Sequence, residues 1–547
     1  MTLTAFAAVQ AQSLRFGGTV LNRDGMLAGE MAQMSQPQVW GTARSMALGG
    51  AFTSLGADLA SMSINPAGLG MYRHNEIVLT PMMTFQSSDT KGTIPYAKNG
   101  KNRFAMANFG VALNAYEGTG TLTSFTVGIG LNRIADFNSR TSYKTDSPYG
   151  GGNSLAPTIA DVFGQQLGQA GIFPNSNGQL GYDRINPYFW PAALGYNGYM
   201  ISSFYDPETK ENYYSPDCIG SNASVLHYLD AVDSGSINEF TLSAGANLNN
   251  IVYIGATIGI QSVHKATGIY YGEDYRYDGA AVDSAGGMLE TQLDYADLYQ
   301  RSVLDGSGVN FKVGVIVRPI QSLRIGAAFH TPTYYSLERS YYGTVASQLY
   351  NNASGNAEIN NDGTPYQDDM GSDSWCFTSP ARLLLGVSYA FGQFGLVTVD
   401  YERDWYNGIR VKNTPDGFDI YPEDYKAEFK HAFQGTNTIR AGVELKPLPV
   451  VALRIGAGYT DSMLKSRTSQ YDLPLSYETR YITAGAGFNL SRSVSLDLAY
   501  QYVTDKMSDY RLFYSLDAVT GDFMTDSGLF RTESTRHNVA LSLAFHF

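Results

Sequence analysis

From residue 76 to its end the chain repeats one unit: about ten residues of strict apolar–polar alternation, then a turn or a loop. In the last copy Val539, Leu541, Leu543, Phe545 and Phe547 point one way, and Asn538, Ala540, Ser542, Ala544 and His546 the other. The copy before it sets Val494, Leu496, Leu498, Tyr500 and Tyr502 against Ser493, Ser495, Asp497, Ala499 and Gln501. Elsewhere the second face carries charge: Ile439, Ala441, Val443 and Leu445 oppose Arg440, Gly442, Glu444 and Lys446. Successive side chains on a strand point to opposite faces, so each segment has one greasy face and one polar or small face. A soluble sandwich alternates as well, and the connections decide between the two.

About 14 such segments can be counted, an even number as bacterial barrels require. They lie near 76–86, 103–114, 121–132, 237–248, 251–264, 307–318, 322–331, 381–391, 394–404, 435–446, 450–461, 478–490, 493–503 and 535–547. Short connections such as Asn249-Asn250 and Ser491-Arg492 alternate with long ones at 133–236, 265–306, 332–380, 405–434 and 504–534. Tight periplasmic turns and long extracellular loops are the habit of outer-membrane barrels, and a sandwich has no reason to put every long loop at one end. The expected fold is therefore all-β: an antiparallel transmembrane barrel of about 14 strands, integral to a bacterial outer membrane, with both termini in the periplasm. Phe547 ends the chain on the apolar face of the last strand, where barrels of this class present an aromatic to the assembly machinery. A monomer surrounded by outer-membrane lipid and lipopolysaccharide is the expected state.

Composition agrees and excludes other classes. Of 547 residues, 58 are Gly, 39 Tyr and 27 Phe, and only 16% are charged. With a mean hydropathy of −0.18 and no run of about 18 apolar residues, helical membrane spans are excluded. A net charge of −13 without a basic stripe excludes nucleic acid as a partner. Cys218 and Cys376 sit in no metal or redox spacing; a disulfide between them is open. The seven histidines are scattered, and no nucleophile elbow, HExxH or phosphate loop occurs, so neither an enzyme nor a cofactor or metal is expected. At the start, Leu3–Val9 followed by Val9-Gln10-Ala11 reads as the end of a secretory leader over 1–11, without a basic n-region.

Residues 12–75 do not alternate. A barrel of about 14 strands is too wide for its own side chains to fill, so a compact segment threaded into it is the economical place for them. The segment is rich in Gly and Ala, which let a chain approach a wall closely. Asn65-Pro66 reads as a cap followed by a first helical residue.

Two stretches here, Ser45-Met46-Ala47-Leu48-Gly49-Gly50-Ala51-Phe52 and Asn65-Pro66-Ala67-Gly68-Leu69, resemble the hatch of the FadL/TodX family of outer-membrane transporters of fatty acids and aromatic hydrocarbons. Strand stretches such as Asn310–Val315 and Leu453–Tyr459 are similar to the same family; the long loops are not. The resemblance implies a hatch at 12–75 with Gly49, Gly50, Asn65, Pro66, Ala67 and Gly68 as its motif, and a barrel at 76–547. It also implies capture of a hydrophobic small molecule at an outer apolar site and sideways release through a gap beside a kinked third strand. On that strand Gly128 and Gly130 either mark a bend or relieve crowding against the hatch.

An apolar pocket with one or two polar anchors is the form such a site takes. Phe163, Leu167, Phe173, Phe189 and Trp190 on the long third loop are candidates for its lining. Residues 155–170 read as a short helix that either covers the mouth or packs on the surface. Inward charges such as Lys312, Arg440, Glu444 and Arg454 suit hydrogen bonding to a hatch, and equally a water-filled porin. Three functions follow: a transporter of hydrophobic compounds such as long-chain fatty acids, a porin or structural barrel, and a surface barrel that binds a partner through its loops.

Overall fold

The alternating segments pair antiparallel with their sequence neighbours, and the last pairs back on the first, Glu76 opposite His546 and Thr90 opposite Thr532. The computed structural model describes residues 17–19, 21, 27–36, 38–97, 99–147, 157–185, 189–364, 373–413, 422–465, 477–516 and 523–547. The segment read as a leader, 1–11, lies outside the described residues.

The wall is a closed barrel of 14 strands. Its first half is β1 (Glu76–Thr90), β2 (Lys101–Glu117), β3 (Leu122–Asp136, resumed at Ser139–Ser147), β4 (Ala223–Leu248), β5 (Val252–Tyr277), β6 (Thr291–Ile320) and β7 (Leu323–His330, resumed at Tyr334–Asn351). The second half is β8 (Asp373–Thr378, resumed at Arg382–Ala390), β9 (Gly395–Asp404, resumed at Arg410–Asn413), β10 (Thr436–Leu448), β11 (Val451–Thr460), β12 (Tyr477–Asn489), β13 (Val494–Tyr510) and β14 (Phe530–His546). Closure leaves no sheet edge, which is what lets strands cross a hydrocarbon layer.

The greasy rows face outward. Ile258, Ile260, Phe311, Val313, Ile325, Phe329, Ile439, Ile455, Leu541 and Phe545 are all exposed on the outer surface. Their neighbours on the same strands, such as Thr257, Lys312, Arg440 and Ser542, are buried toward the axis. An aliphatic belt around a closed barrel makes this an integral outer-membrane protein.

Above the belt the wall continues. Much of what reads in the sequence as the loops 265–306 and 332–380 is strand: β5 runs on to Tyr277, β6 begins at Thr291, and β7 reaches Asn351. The greasy–polar contrast fades there because the outward face meets water, so the period-two signal weakens while the ladder continues. Loop three, 148–222, carries the helices α4 (Ile159–Gln169) and α5 (Trp190–Asn197) and a hairpin, Ser202–Asp206 with Glu211–Ser215.

The N-terminal segment runs the length of the lumen. Gly17–Thr19 pairs with Ser515–Phe513 in the extracellular loop after β13, and Leu21 is buried in the outer core. The chain then descends through α1 (Leu27–Met34), α2 (Ala43–Ala47) and α3 (Ser61–Ile64) to the periplasmic end, where Asn75 and Phe547 exchange backbone hydrogen bonds. The described start of the segment thus lies at the outer face, not in the periplasm. Alternation locates strands only, and it carries no signal for how far a non-alternating plug climbs.

Inward-facing glycines set how closely the plug meets the wall. A Cβ on Gly314 of β6 would lie 1.8 Å from Asn65 Oδ1, and one on Gly456 of β11 would lie 2.4 Å from Gly49 N. β4, β5, β7, β8, β10 and β12 present Gly245, Gly255, Gly326, Gly386, Gly442 and Gly485 to the plug in the same way. On β13 and β14 the small residues are Ala499 and Ala540, packed on Ala43, Met46 and Ala47. We expect Gly314→Ala to unseat the Asn65 turn at a cost of about 1–3 kcal/mol. The purified variant should lose its compact, heat-sensitive gel mobility at a lower temperature than the parent; an unchanged transition would show that the contact is not tight.

Candidate functional site

The hatch motif forms the lower seal. Gly49 and Gly50 take φ of +67° and +72°, which glycine adopts without strain, and Gly49 turns against the backbone of Ala457. Asn65 caps the 3-10 turn Pro66–Met71 by accepting from Ala67 N at 3.1 Å, and its amide donates to Thr53 O at 2.6 Å. Pro66, Ala67 and Gly68 are buried, and a Cβ on Gly68 would lie 2.5 Å from Ser61 Oγ. The wall supplies side chains to the plug's backbone: Thr483 Oγ1 donates to Ala47 O at 2.8 Å, Tyr481 OH to Gly49 O at 2.9 Å, and Asp400 Oδ2 accepts from Thr53 N at 2.7 Å. Buried peptide groups of an irregular segment are thus partnered, which is the condition for placing it inside a barrel.

The inward charges pair chiefly with one another around the wall. Glu402 holds Arg382 and Arg440, and Lys312 meets Glu239. Arg454 meets Glu444 at 2.7 Å, and the plug adds Arg44 at 3.7 Å from Glu444. A water-filled pore would leave such charges facing solvent; here the polar lumen is filled with ion pairs and plug.

The third strand breaks, but not at its glycines. Gly128 and Gly130 stay in register with Ala112 and Gly110 of β2, and a Cβ on either would lie within 2.7 Å of Met62 in the plug. The break comes higher up. The β2–β3 ladder ends at Asn108 opposite Asn132, and β3 shifts register against β4 between Arg133 and Ala135. Phe137 and Asn138 leave the ladder, and Ser139–Ser147 resumes on β4, reaching toward loop one where Lys144 bridges Ile94. Among the described residues, Lys101–Ala107 of β2 therefore has β1 on one side and no ladder partner on the other. Phe104, 66% exposed, flanks this gap on the lipid side.

The plug caps the broken backbone. Gln38 Nε2 donates to Asp136 O at 3.2 Å, and Gln38 Oε1 accepts from Asp136 N at 3.1 Å and from Trp40 Nε1 at 2.9 Å. Behind the gap lies a cavity of about 140 Å³, lined by Gln38 and Trp40 of the plug, Phe137 and Asn138 of the kink, and Asp233 and Lys265 of the wall.

Beside it the plug joins a packed apolar core. Ala28, Met31, Ala32 and Met34 of α1 pack with Ile237, Val263, Leu304, Tyr335, Leu337, Trp375 and Phe377 of the wall and with Phe429 and Phe433 of the loop after β9. Next to this core Glu30 of α1 meets Lys265 at 2.5 Å and also Arg339. Arg339 stacks 5.0 Å from the Trp375 ring centroid, and Lys265 lies 6.0 Å from that of Phe137. Burial alone would raise the Glu30 carboxyl, but Arg339 and Lys265 hold it below the usual carboxylate range. The wall thus presents two cations, flanked by aromatics, that hold a carboxylate next to the gap.

The lining candidates from loop three lie higher still. Phe163 and Leu167 of α4 and Trp190 of α5 are buried in one outer core, with Phe189 packed against it. Phe173 sits at its margin, stacked on Tyr214 with centroids 5.4 Å apart. A cavity of about 10 Å³ touches Trp190 and Leu21, room for about one water. Cys218 lies at the edge of the same core, where burial pushes its thiol up to about 12, and both cysteines are free.

Sequence reading missed Gln38, Glu30, Lys265, Arg339 and the Phe137-Asn138 break. Glu30 did leave a trace, as the one charge in the otherwise uncharged helix Leu27–Met34. Gln38→Ala should leave the Asp136 peptide groups unpaired at a cost of about 1–3 kcal/mol. Amide hydrogen exchange over residues 133–140 should then quicken while that of β10–β12 stays as in the parent.

No protein-family model matches the chain, and no curated protein matches it. Among solved structures, a Pseudomonas aeruginosa FadL homologue aligns over 93% of this chain and 99% of its own, with 12% identity and a TM-score of 0.51. The CymD monoaromatic hydrocarbon channel aligns over 93% and 97%, with 13% identity and a TM-score of 0.46. The P. putida toluene transporter TodX aligns over 92% and 98%, with 12% identity and a TM-score of 0.46. The first of these alignments spans plug and wall together and shows that the chain has the FadL-type fold.

Proposed function

We propose that this chain takes small hydrophobic compounds into the outer membrane, capturing them at the outer side and releasing them sideways through the gap between β2 and β3. The observation that carries this reading is the unpaired stretch Lys101–Ala107, which opens toward lipid at the level of a cavity inside the wall. Below that level the plug meets glycine after glycine, so a molecule moving straight down would have to displace about thirty ordered residues. A molecule moving sideways has only the kink to pass. The likeness to the Pseudomonas aeruginosa FadL homologue supports the barrel fold on which this reading rests.

Within that class, the cation pair Lys265 and Arg339 favours a cargo with a carboxylate head and an apolar tail, such as a long-chain fatty acid. Lys265 and Arg339 already hold one carboxylate, that of Glu30, among Tyr335, Leu337 and Trp375. Charge-assisted bonds of this kind select an anionic oxygen pair over a neutral hydrocarbon. Assembly by the machinery that reads a terminal aromatic suits Phe547, which stands 64% exposed at the end of the chain.

Two measurements test the reading. A fatty acid carrying a photoreactive tail, added to the purified barrel, should label Phe137 and Phe104; label on Tyr253, packed against Ala67 near the periplasmic end of the plug, would mean passage straight through the lumen. Replacing Arg339 and Lys265 together by Met should weaken palmitate binding by about ten-fold or more, while toluene binding changes little. Large, unselective ion currents through the intact protein would instead favour a porin.

A further inference from the structure

Two charges outside the Glu30 cluster stand at the gap itself, on the strand that borders it. Direct partners across an antiparallel ladder share a face. Arg103 and Lys101 of β2 oppose Thr84 and Gln86 of β1. Thr84 is buried and Gln86 lines the cavity behind the gap, so both cations point into the lumen. Phe104, the next residue along, points the other way, to lipid.

Neither cation has an anionic partner. Lys101 Nζ reaches across the gap to a carbonyl of β4, donating to Asp233 O at 2.9 Å. The Arg103 guanidinium makes no hydrogen bond or ion pair among the described residues. It meets Lys101 and Arg133 as a like charge. A guanidinium carries five N–H donors and no acceptor, and keeping its charge half-buried without an anion is costly.

The carboxylates nearby are already engaged. Asp136 holds Arg133 at 2.8 Å and accepts from Asn138 Nδ2 at 2.7 Å. Asp230 takes Arg140 through two bonds, of 2.9 Å from Nε and 2.7 Å from Nη2. Asp233 accepts from Ser139 Oγ at 3.0 Å and from Thr267 Oγ1 at 2.8 Å. Four cations, Lys101, Arg103, Arg133 and Arg140, thus face three carboxylates, and a positive charge is left over at the rim. Arg133 Nε, on a buried side chain, is a further donor with no acceptor.

Donors left without acceptors beside a cavity suit an anion and offer nothing to a neutral hydrocarbon. Because Lys101 and Arg103 face inward, that anion reaches them from the lumen, not from the surrounding leaflet. The carboxylate of an amphiphile fits both needs: its flat oxygen pair matches the fork of Arg103, and its tail is free to lie in the gap against Phe104.

We propose that Lys101 and Arg103 form an exit-side binding site for the carboxylate head of the departing cargo, holding it at the inner rim of the gap while its tail enters lipid. This rests on the sideways route proposed above. Lys265 and Arg339 then serve capture, and Lys101 and Arg103 serve release, as two stations for one head group.

The test uses the full-length protein in detergent micelles, with palmitate carrying a photoreactive group at the end of its tail and the methyl ester of the same compound. The readout is label on Phe104 relative to label on Phe137. Lys101→Gln with Arg103→Gln should lower that ratio for the acid by about ten-fold and leave it unchanged for the ester. Lys101→Arg with Arg103→Lys keeps both charges and should hold the acid's ratio within about three-fold of the parent. Arg103→Gln alone breaks no contact, and should lower the acid's ratio by about three-fold even where the pair fails to fold by heat-sensitive gel mobility. An acid ratio unchanged by the Gln variants, or an ester ratio that falls with it, overturns the proposal. Absence of label at both phenylalanines in the parent overturns the sideways route itself.

Discussion

Backbone-to-backbone contact between plug and wall is what the rest of this molecule depends on. A wall of strands has inward side chains at every second residue, and ordinary side chains would hold a plug several ångströms away. Here those positions are glycine at Gly245, Gly255, Gly314, Gly326, Gly386, Gly442 and Gly456, and plug atoms occupy the space a Cβ would need. Close approach brings wall hydroxyls and carboxylates within reach of the plug's peptide groups, as at Thr483 with Ala47 and Asp400 with Thr53. An irregular segment can then lie inside a membrane barrel with peptide groups such as Ala47 O and Thr53 N partnered by the wall.

That seal redirects everything above it. With the lower lumen filled, the weakness in the wall is the third strand, where the ladder to β2 ends at Asn132 and the freed peptide of Asp136 is taken up by Gln38. One segment therefore both fills the lower lumen and caps the broken strand. The same segment places Glu30 between Lys265 and Arg339. Breaking such a buried pair costs about 3–5 kcal/mol unless another anion replaces it.

Much of the barrel was legible in the sequence because strict alternation and the short–long rhythm of connections are direct consequences of strands in lipid. Val539 to Phe547 and Ile439 to Leu445 point outward as their pattern requires. The extracellular continuation of β5 and β6 was read as loop, since Tyr270, Asp274, Asp297 and Tyr299 face water and remove the greasy contrast that marks a membrane strand. Asn65-Pro66 as a capped turn was legible from local chemistry, whereas the climb of the plug to Gly17–Thr19 at the outer face was not, because no local rule sets it. The functional residues were the hardest. Glu30, Lys265 and Arg339 are brought together from a plug helix and two strands more than two hundred residues downstream, and single-chain periodicity carries no record of such a meeting. The glycines Gly128 and Gly130 illustrate the converse: a local cue for a bend that the packing of Met62 accounts for instead.

The proposed sideways exit, with the lower plug left seated, is tested most directly by hydrogen–deuterium exchange with and without palmitate bound. Faster exchange over 27–38 and 133–140, with 43–71 as protected as in the unliganded protein, is the predicted result. Loss of protection across 43–71 would contradict it, because cargo would then be opening the lumen rather than leaving through the wall.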